Sequence, residues 1–166
     1  MIGQKTLVLA ILATTLSALA LNLPVARSPS YLRIRPGSDF SKCLGAAHTD
    51  PDYTNGVPVV IGDCNNGSSQ LWLLSPRGET IITLAGYSYC LDAGSSPQNG
   101  VGLKIWKCYS GLPAQDWYVT DDHRIALTNQ GQCIDLTNGN LTNGAQAQTW
   151  QCTDNNPNQY WKVDFA

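Results

Sequence analysis

At 166 residues the chain is long enough for one domain with a real core and too short for two comfortable ones. Only 13% of its residues are charged and the formal net charge is −2, which excludes the basic stripe that a nucleic-acid partner requires to displace counterions from phosphates. With His48 and His123 as its only histidines, the chain has few candidates for a histidine-ligated metal or a histidine general base, and neither metal nor cofactor is expected.

Residues 1–20 read as a secretory signal peptide: Lys5 supplies the positive start, residues 7–19 the apolar stretch, and Ala18-Leu19-Ala20 the small-x-small cleavage site. As a membrane anchor the run is short for a ~20-residue span and carries Thr14, Thr15 and Ser17. Nothing later is apolar enough to cross a bilayer, so a secreted, extracellular protein is expected. Residues 21–30, with Asn22, Pro24, Ser28 and Pro29, read as an irregular arm.

From residue 31 to residue 166 a single domain is expected, written as three copies of one pattern. Copy one (31–74) offers apolar or alternating runs at 31–35, 42–46, 57–63 and 70–74, with a Pro36-Gly37-Ser38-Asp39 turn after the first. Copy two (79–119) repeats them at 80–84, 89–93, 102–107 and 115–119, and copy three (124–163) at 124–128, 132–136, 145–151 and 159–163. Clusters of Gly, Asn, Asp, Ser and Pro separate the runs, the signature of strands and hairpins. No window holds helical periodicity, so the fold is expected to be all-β.

The copies are in phase. Gln70-Leu71-Trp72, Gln115-Asp116-Trp117 and Gln159-Tyr160-Trp161 place tryptophans 45 and 44 residues apart. Six cysteines keep the same beat, two per copy. Six allow fifteen connectivities in principle, but pairing within copies gives Cys43 with Cys64, Cys90 with Cys108 and Cys133 with Cys152. Closing each loop stabilises by about 3 kcal/mol in the chain-entropy model. Cys-x-x-Cys spacing is absent, which removes the usual zinc and redox motifs. Two sequons, at Asn66 and Asn140, offer N-glycosylation sites.

A four-stranded unit of this length also suits a propeller blade, but propellers need roughly four to eight blades. Three such units close instead into a six-stranded barrel capped by three hairpins, a β-trefoil with pseudo-threefold symmetry, which removes exposed sheet edges.

With Gln-x-Trp near the end of each copy, a cysteine pair inside each, and Cys90-Leu91-Asp92 and Cys133-Ile134-Asp135 in two of them, the sequence resembles the ricin B-type lectin family over residues 31–166. The resemblance implies up to one sugar pocket per copy, commonly for galactose or N-acetylgalactosamine. Carried over position by position, it implies an Asp that accepts from two sugar hydroxyls, an aromatic ring that stacks on the sugar, and an Asn before the Gln-x-Trp. Copy three has them all in Asp135, Trp150 and Asn158, with Gln148 and Gln159 in support. Copy two keeps Asp92, Trp106 and Gln115 but has Ala114 for the Asn and Lys104 for Gln148. Copy one has Gly45 for the Asp and Gly62 for the aromatic, and is expected to hold no pocket of this kind.

The residue types suit the chemistry. A pyranose carries hydroxyls on its rim and a C–H patch on one face; an ionised Asp takes neighbouring hydroxyls in a charge-assisted fork, and an indole covers the patch. Galactose, whose axial 4-hydroxyl leaves a continuous C–H face, fits this pair better than glucose. Competing roles exist for each group. Trp72, Trp117 and Trp161 recur even in the copy without a pocket and are expected in the core. For Asp92 and Asp135 the competing role is that of a turn former through a local bond to the backbone. As equivalent positions in successive copies, the two carboxylates should stand farther apart than the ~5 to 9.5 Å of glycoside hydrolases, so no enzyme is expected. A trefoil protease inhibitor and a xylan-type carbohydrate-binding module are the alternatives. The expected partners are galactose-type glycans, not nucleic acid.

Overall fold

A computed structural model describes residues 31–48, 52–74 and 81–166. The expected signal peptide (1–20) and arm (21–30) lie outside the described residues. Copy one forms β1 (Leu32–Pro36), β2 (Lys42–Ala46), β3 (Val59–Asp63) and β4 (Trp72–Leu74). Copy two forms β5 (Ile82–Leu84), β6 (Tyr89–Asp92), β7 (Val101–Gly102), β8 (Lys104–Lys107) and β9 (Trp117–Val119). Copy three forms β10 (Ile125–Leu127), β11 (Gln132–Asp135), β12 (Gln148–Gln151) and β13 (Trp161–Phe165). No α-helix occurs among the described residues. The fold is the all-β trefoil.

Six strands make the barrel. Antiparallel pairing runs β13–β1–β4–β5 and β9–β10, and side chains from all six strands surround one small void of about 10 Å³, among them Ile34, Trp72, Ile82, Val119, Ile125 and Val163. The β2–β3, β6–β8 and β11–β12 hairpins form the cap. Trp72, Trp117 and Trp161 are fully buried. Each indole N–H donates to a hairpin carbonyl, at Leu44 (2.9 Å), Leu91 (3.0 Å) and Ile134 (2.9 Å) respectively, so every copy ties its barrel strand to its own hairpin in the same way. The disulfides pair within copies, Cys43–Cys64, Cys90–Cys108 and Cys133–Cys152.

Around the pseudo-threefold axis the main chain forms a ring. Val59 N donates to Leu103 O (2.9 Å), Leu103 N to Ala147 O (2.8 Å), and Ala147 N to Val59 O (3.0 Å). All three residues are fully buried. Just before each stands a glycine with positive φ, Gly56 (91°), Gly100 (85°) and Gly144 (91°), whose N–H also reaches a neighbouring copy. Only glycine adopts that conformation without strain.

Two expectations on strand extent change. The third run is shorter in copies one and three, starting at Val59 and Gln148 rather than at 57 and 145, and copy two's is broken at Leu103. These residues spend their peptide groups across the axis on another copy: Ile105 N donates to Val57 O and Ile61 N to Ala145 O. The Gln of each Gln-x-Trp does not open a strand either. It closes a single-turn 3-10 helix, Ser68–Gln70, Pro113–Gln115 or Pro157–Gln159, and the strand begins at the Trp. Pro113 and Pro157 sit in the first turn, where a fixed φ and a missing N–H cost nothing.

Candidate functional site

Hairpin register decides which side chains meet. In copy three Asp135 pairs with Gln148 and Cys133 with Trp150; the period-two pleat therefore puts all four on one face. Copy two repeats the arrangement with Asp92 opposite Lys104 and Cys90 opposite Trp106. In copy one the same places hold Gly45 opposite Val60 and Cys43 opposite Gly62.

Asp135 is 3% exposed and its two oxygens are held by amides. Oδ1 accepts from Gln148 Nε2 (2.9 Å); Oδ2 accepts from Gln159 Nε2 (3.3 Å) and Asn156 Nδ2 (3.4 Å). Burial pushes its pKa up from the ordinary 3.8, while bonds from Gln148, Gln159 and Asn156 oppose that rise. Gln159 is itself fixed, donating to Gln151 O (2.9 Å) and accepting from Thr153 N (2.9 Å). Beside this set Trp150 is 40% exposed, an indole left in water by a chain that buries its other repeated tryptophans. A carboxylate can accept about four hydrogen bonds, so Asp135 keeps acceptor capacity next to an open aromatic surface.

Asn158 does not touch the carboxylate among the described residues. Its peptide N–H donates to Asn156 Oδ1 (3.0 Å), its carbonyl accepts from Leu136 N (2.8 Å), and its Oδ1 lies at the Gly139 edge of the site. The asparagine on Asp135 is Asn156, which also caps the turn that carries Gln159. The sequence reading missed it, although Asn before Pro at the start of a helical turn is a recognisable capping signal.

Asp92 is 4% exposed and is held differently. Oδ1 accepts from Gly94 N (2.7 Å), the turn-forming bond considered from sequence, and Oδ2 from Gln115 Nε2 (2.9 Å). Gln115 is fully buried, donates to Lys107 O (3.0 Å) and accepts from Tyr109 N (3.0 Å). Trp106 is half-buried, with the Lys104 ammonium 5.3 Å from its ring centroid. Asp92, Gly94, Ser95, Lys104, Trp106 and Ala114 line a cavity of about 330 Å³, at the lower end for a small-ligand site.

In copy one Gln70 makes the equivalent backbone bonds, donating to Asp63 O (3.0 Å) and accepting from Asn65 N (2.9 Å), with no carboxylate to orient. A Cβ at Gly45 would stand 2.7 Å from Gln70 Cγ and 2.7 Å from Ser69 O. Space for the missing Asp has closed.

Asp92 and Asp135 stand on separate hairpins, β6–β8 and β11–β12. His48 and His123 are exposed in turns, and the His123 ring packs on Tyr160 with centroids 4.9 Å apart. Asn66 and Asn140 of the two sequons are exposed. Among the described residues no cluster of His, Cys, Asp or Glu could hold a metal ion, and no helix is long and apolar enough to cross a membrane.

The family model of the ricin-type beta-trefoil lectin domain matches residues 30–161. Comparison with curated proteins gives no match. Among solved structures, the C-half of an earthworm R-type lectin in complex with GalNAc is 20% identical with a TM-score of 0.69, over 83% of this chain and 100% of that one. A designed threefold-symmetric protein, ThreeFoil, is 22% identical with a TM-score of 0.68, over 80% and 96%. A non-toxic homologue of type II RIPs from Momordica charantia, in complex with alpha-methyl-D-galactoside, is 23% identical with a TM-score of 0.65, over 83% of this chain and 48% of that one. At these identities the likeness is one of fold.

Proposed function

Starting from the fact that the chain belongs to the ricin-type β-trefoil lectin family, we propose that it is a secreted, non-catalytic lectin for galactose- or N-acetylgalactosamine-type glycans. Copy three provides the main pocket, with Asp135, Gln148, Trp150, Asn158 and Gln159, and copy two a second one with Asp92, Trp106 and Gln115. The observation that carries this reading is the pairing, on one hairpin face, of a buried carboxylate steadied by three amides with an indole that is 40% exposed.

Each part has a task. Asp135 takes two neighbouring sugar hydroxyls, one at the open site on Oδ1 and one in exchange for the 3.4 Å bond from Asn156, while Gln148 and Gln159 hold the oxygens in place. Trp150 covers the C–H face that galactose presents. Asn158, at the rim, supplies a further polar contact. GalNAc and methyl galactoside in two of the similar structures support this sugar class. Three disulfides suit an extracellular location. A single ring held by a few bonds in competition with water binds weakly, and strength comes from engaging two copies on one branched glycan or glycan-coated surface.

A glycan array carrying galactosides and xylan oligosaccharides tests the reading. Wild type should bind galactosides, and Asp135→Ala or Trp150→Ala should each lower that binding at least tenfold. Xylan binding without galactoside binding, or variants that bind like wild type, would refute it.

A further inference from the structure

The copy-two pocket differs from that of copy three by more than one lost contact. Around Asp135 stand Gln148, Asn156 and Asn158; at the equivalent places around Asp92 stand Lys104, Leu112 and Ala114. Three neutral amides are gone, and one ammonium has arrived. Building on the carbohydrate reading above, we propose that the copy-two pocket takes a sugar ring bearing a negative group, a carboxylate or a sulfate ester, and that Lys104 reads the charge.

Lys104 is half-buried at the wall of the cavity, its ammonium 5.3 Å from the Trp106 centroid and 3.3 Å from where a Cβ at Gly94 would lie. Among the described residues it forms no ion pair. Although Asp92 faces it across the hairpin, the Asp92 oxygens are turned to Gly94 N and Gln115 Nε2. The two charges therefore serve separate ends of the pocket. Asp92 is left to accept ring hydroxyls, as Asp135 does, while the ammonium waits over the indole.

That position selects the ligand. A neutral sugar stacking on Trp106 displaces the ammonium from the ring and offers it only uncharged hydroxyl oxygens in exchange. A sugar with an acidic substituent exchanges the cation–π contact for a charge-assisted hydrogen bond. The loss of the amides points the same way, because Leu112 and Ala114 cannot bond neutral hydroxyls. Gly94, which keeps the wall opposite Lys104 low, has φ of 82° and so resists any larger residue there.

The test isolates copy two by removing the copy-three pocket with Asp135→Ala/Trp150→Ala, and in parallel with Trp150→Ala alone, which leaves the buried carboxylate and its amide bonds in place. Methyl galactoside, a 3-O-sulfated galactoside and a sialylated galactoside are titrated by calorimetry at low and high salt, alongside wild type. In both backgrounds at least one acidic probe should bind tenfold or more tighter than methyl galactoside, with affinity falling as salt rises; which acidic probe binds separates sulfate from carboxylate. Adding Lys104→Gln should erase that preference. Equal or weaker binding of the acidic probes, or a preference that survives Lys104→Gln, overturns the proposal while leaving wild-type galactoside binding as support for the lectin reading. Wild type that binds no sugar at all overturns both.

Discussion

Copies one and three share a disulfide, a 3-10 turn, a buried indole bonded to a hairpin carbonyl, and a Gln that joins the same two backbone groups. Copy three adds a carboxylate and an exposed indole to that frame; copy one puts Gly45 and Gly62 in their place, with Val60 where copy three has Gln148. Framework and binding surface are therefore separable. The Gln that looks like a sugar contact in copy three belongs first to the fold, since copy one retains it with nothing to orient.

The largest effect should come from attacking the shared part. Trp161→Ala removes a fully buried indole and its bond to Ile134, and should cost about 3–5 kcal/mol of stability, as should Trp72→Ala in the copy without a pocket. Urea unfolding measures both. A much smaller cost at Trp72 would mean that the framework is not shared equally.

A smaller effect sharpens the contrast. Gly45→Asp supplies copy one with its missing acid, yet its Cβ would meet Gln70 and Ser69 at 2.7 Å. It should destabilise by about 1–3 kcal/mol through overpacking, and add no galactoside binding in a Trp150→Ala background. New binding without a stability cost would show that the site is open rather than closed.

The smallest effect concerns pH, and it runs in opposite directions for folding and for binding. Burial raises the Asp135 pKa above 3.8, so on acidification the native state takes up this proton before the unfolded chain does. The contribution of Asp135 to stability accordingly rises as pH falls through the raised value and levels off below 3.8. Sugar affinity, which needs the carboxylate ionised, falls over the same window. Titrating galactoside affinity of the wild type, and unfolding of wild type against Asp135→Asn, should show the two opposed trends, with wild-type stability gaining on that of Asp135→Asn toward acid pH.

Much of this was legible in the chain. The 45- and 44-residue intervals between tryptophans and the cysteine pairs in phase with them announce three equivalent units, and strand periodicity does the rest. Asp135 and Trp150 were carried over from the family resemblance, and copy one, with Gly45 and Gly62 at their places, lacks both. What stayed hidden is written in the main chain or in geometry: the ring through Val59, Leu103 and Ala147 uses peptide groups that any residue carries. That Asn156 rather than its neighbour two residues on bonds the carboxylate depends on how a 3-10 turn aims its side chains. The bond from Gly94 N to Asp92 shows only in three dimensions, since a turn-forming role and a pocket role call for the same residue.

The ring at the axis carries one more consequence. Its three links, from Val59 to Leu103, Leu103 to Ala147 and Ala147 back to Val59, are peptide to peptide, and each copy gives once and receives once. That closure uses no side chain, so the residues lining a hairpin can differ between arms without breaking it. Three differing hairpin faces thus hang from one unbroken hub.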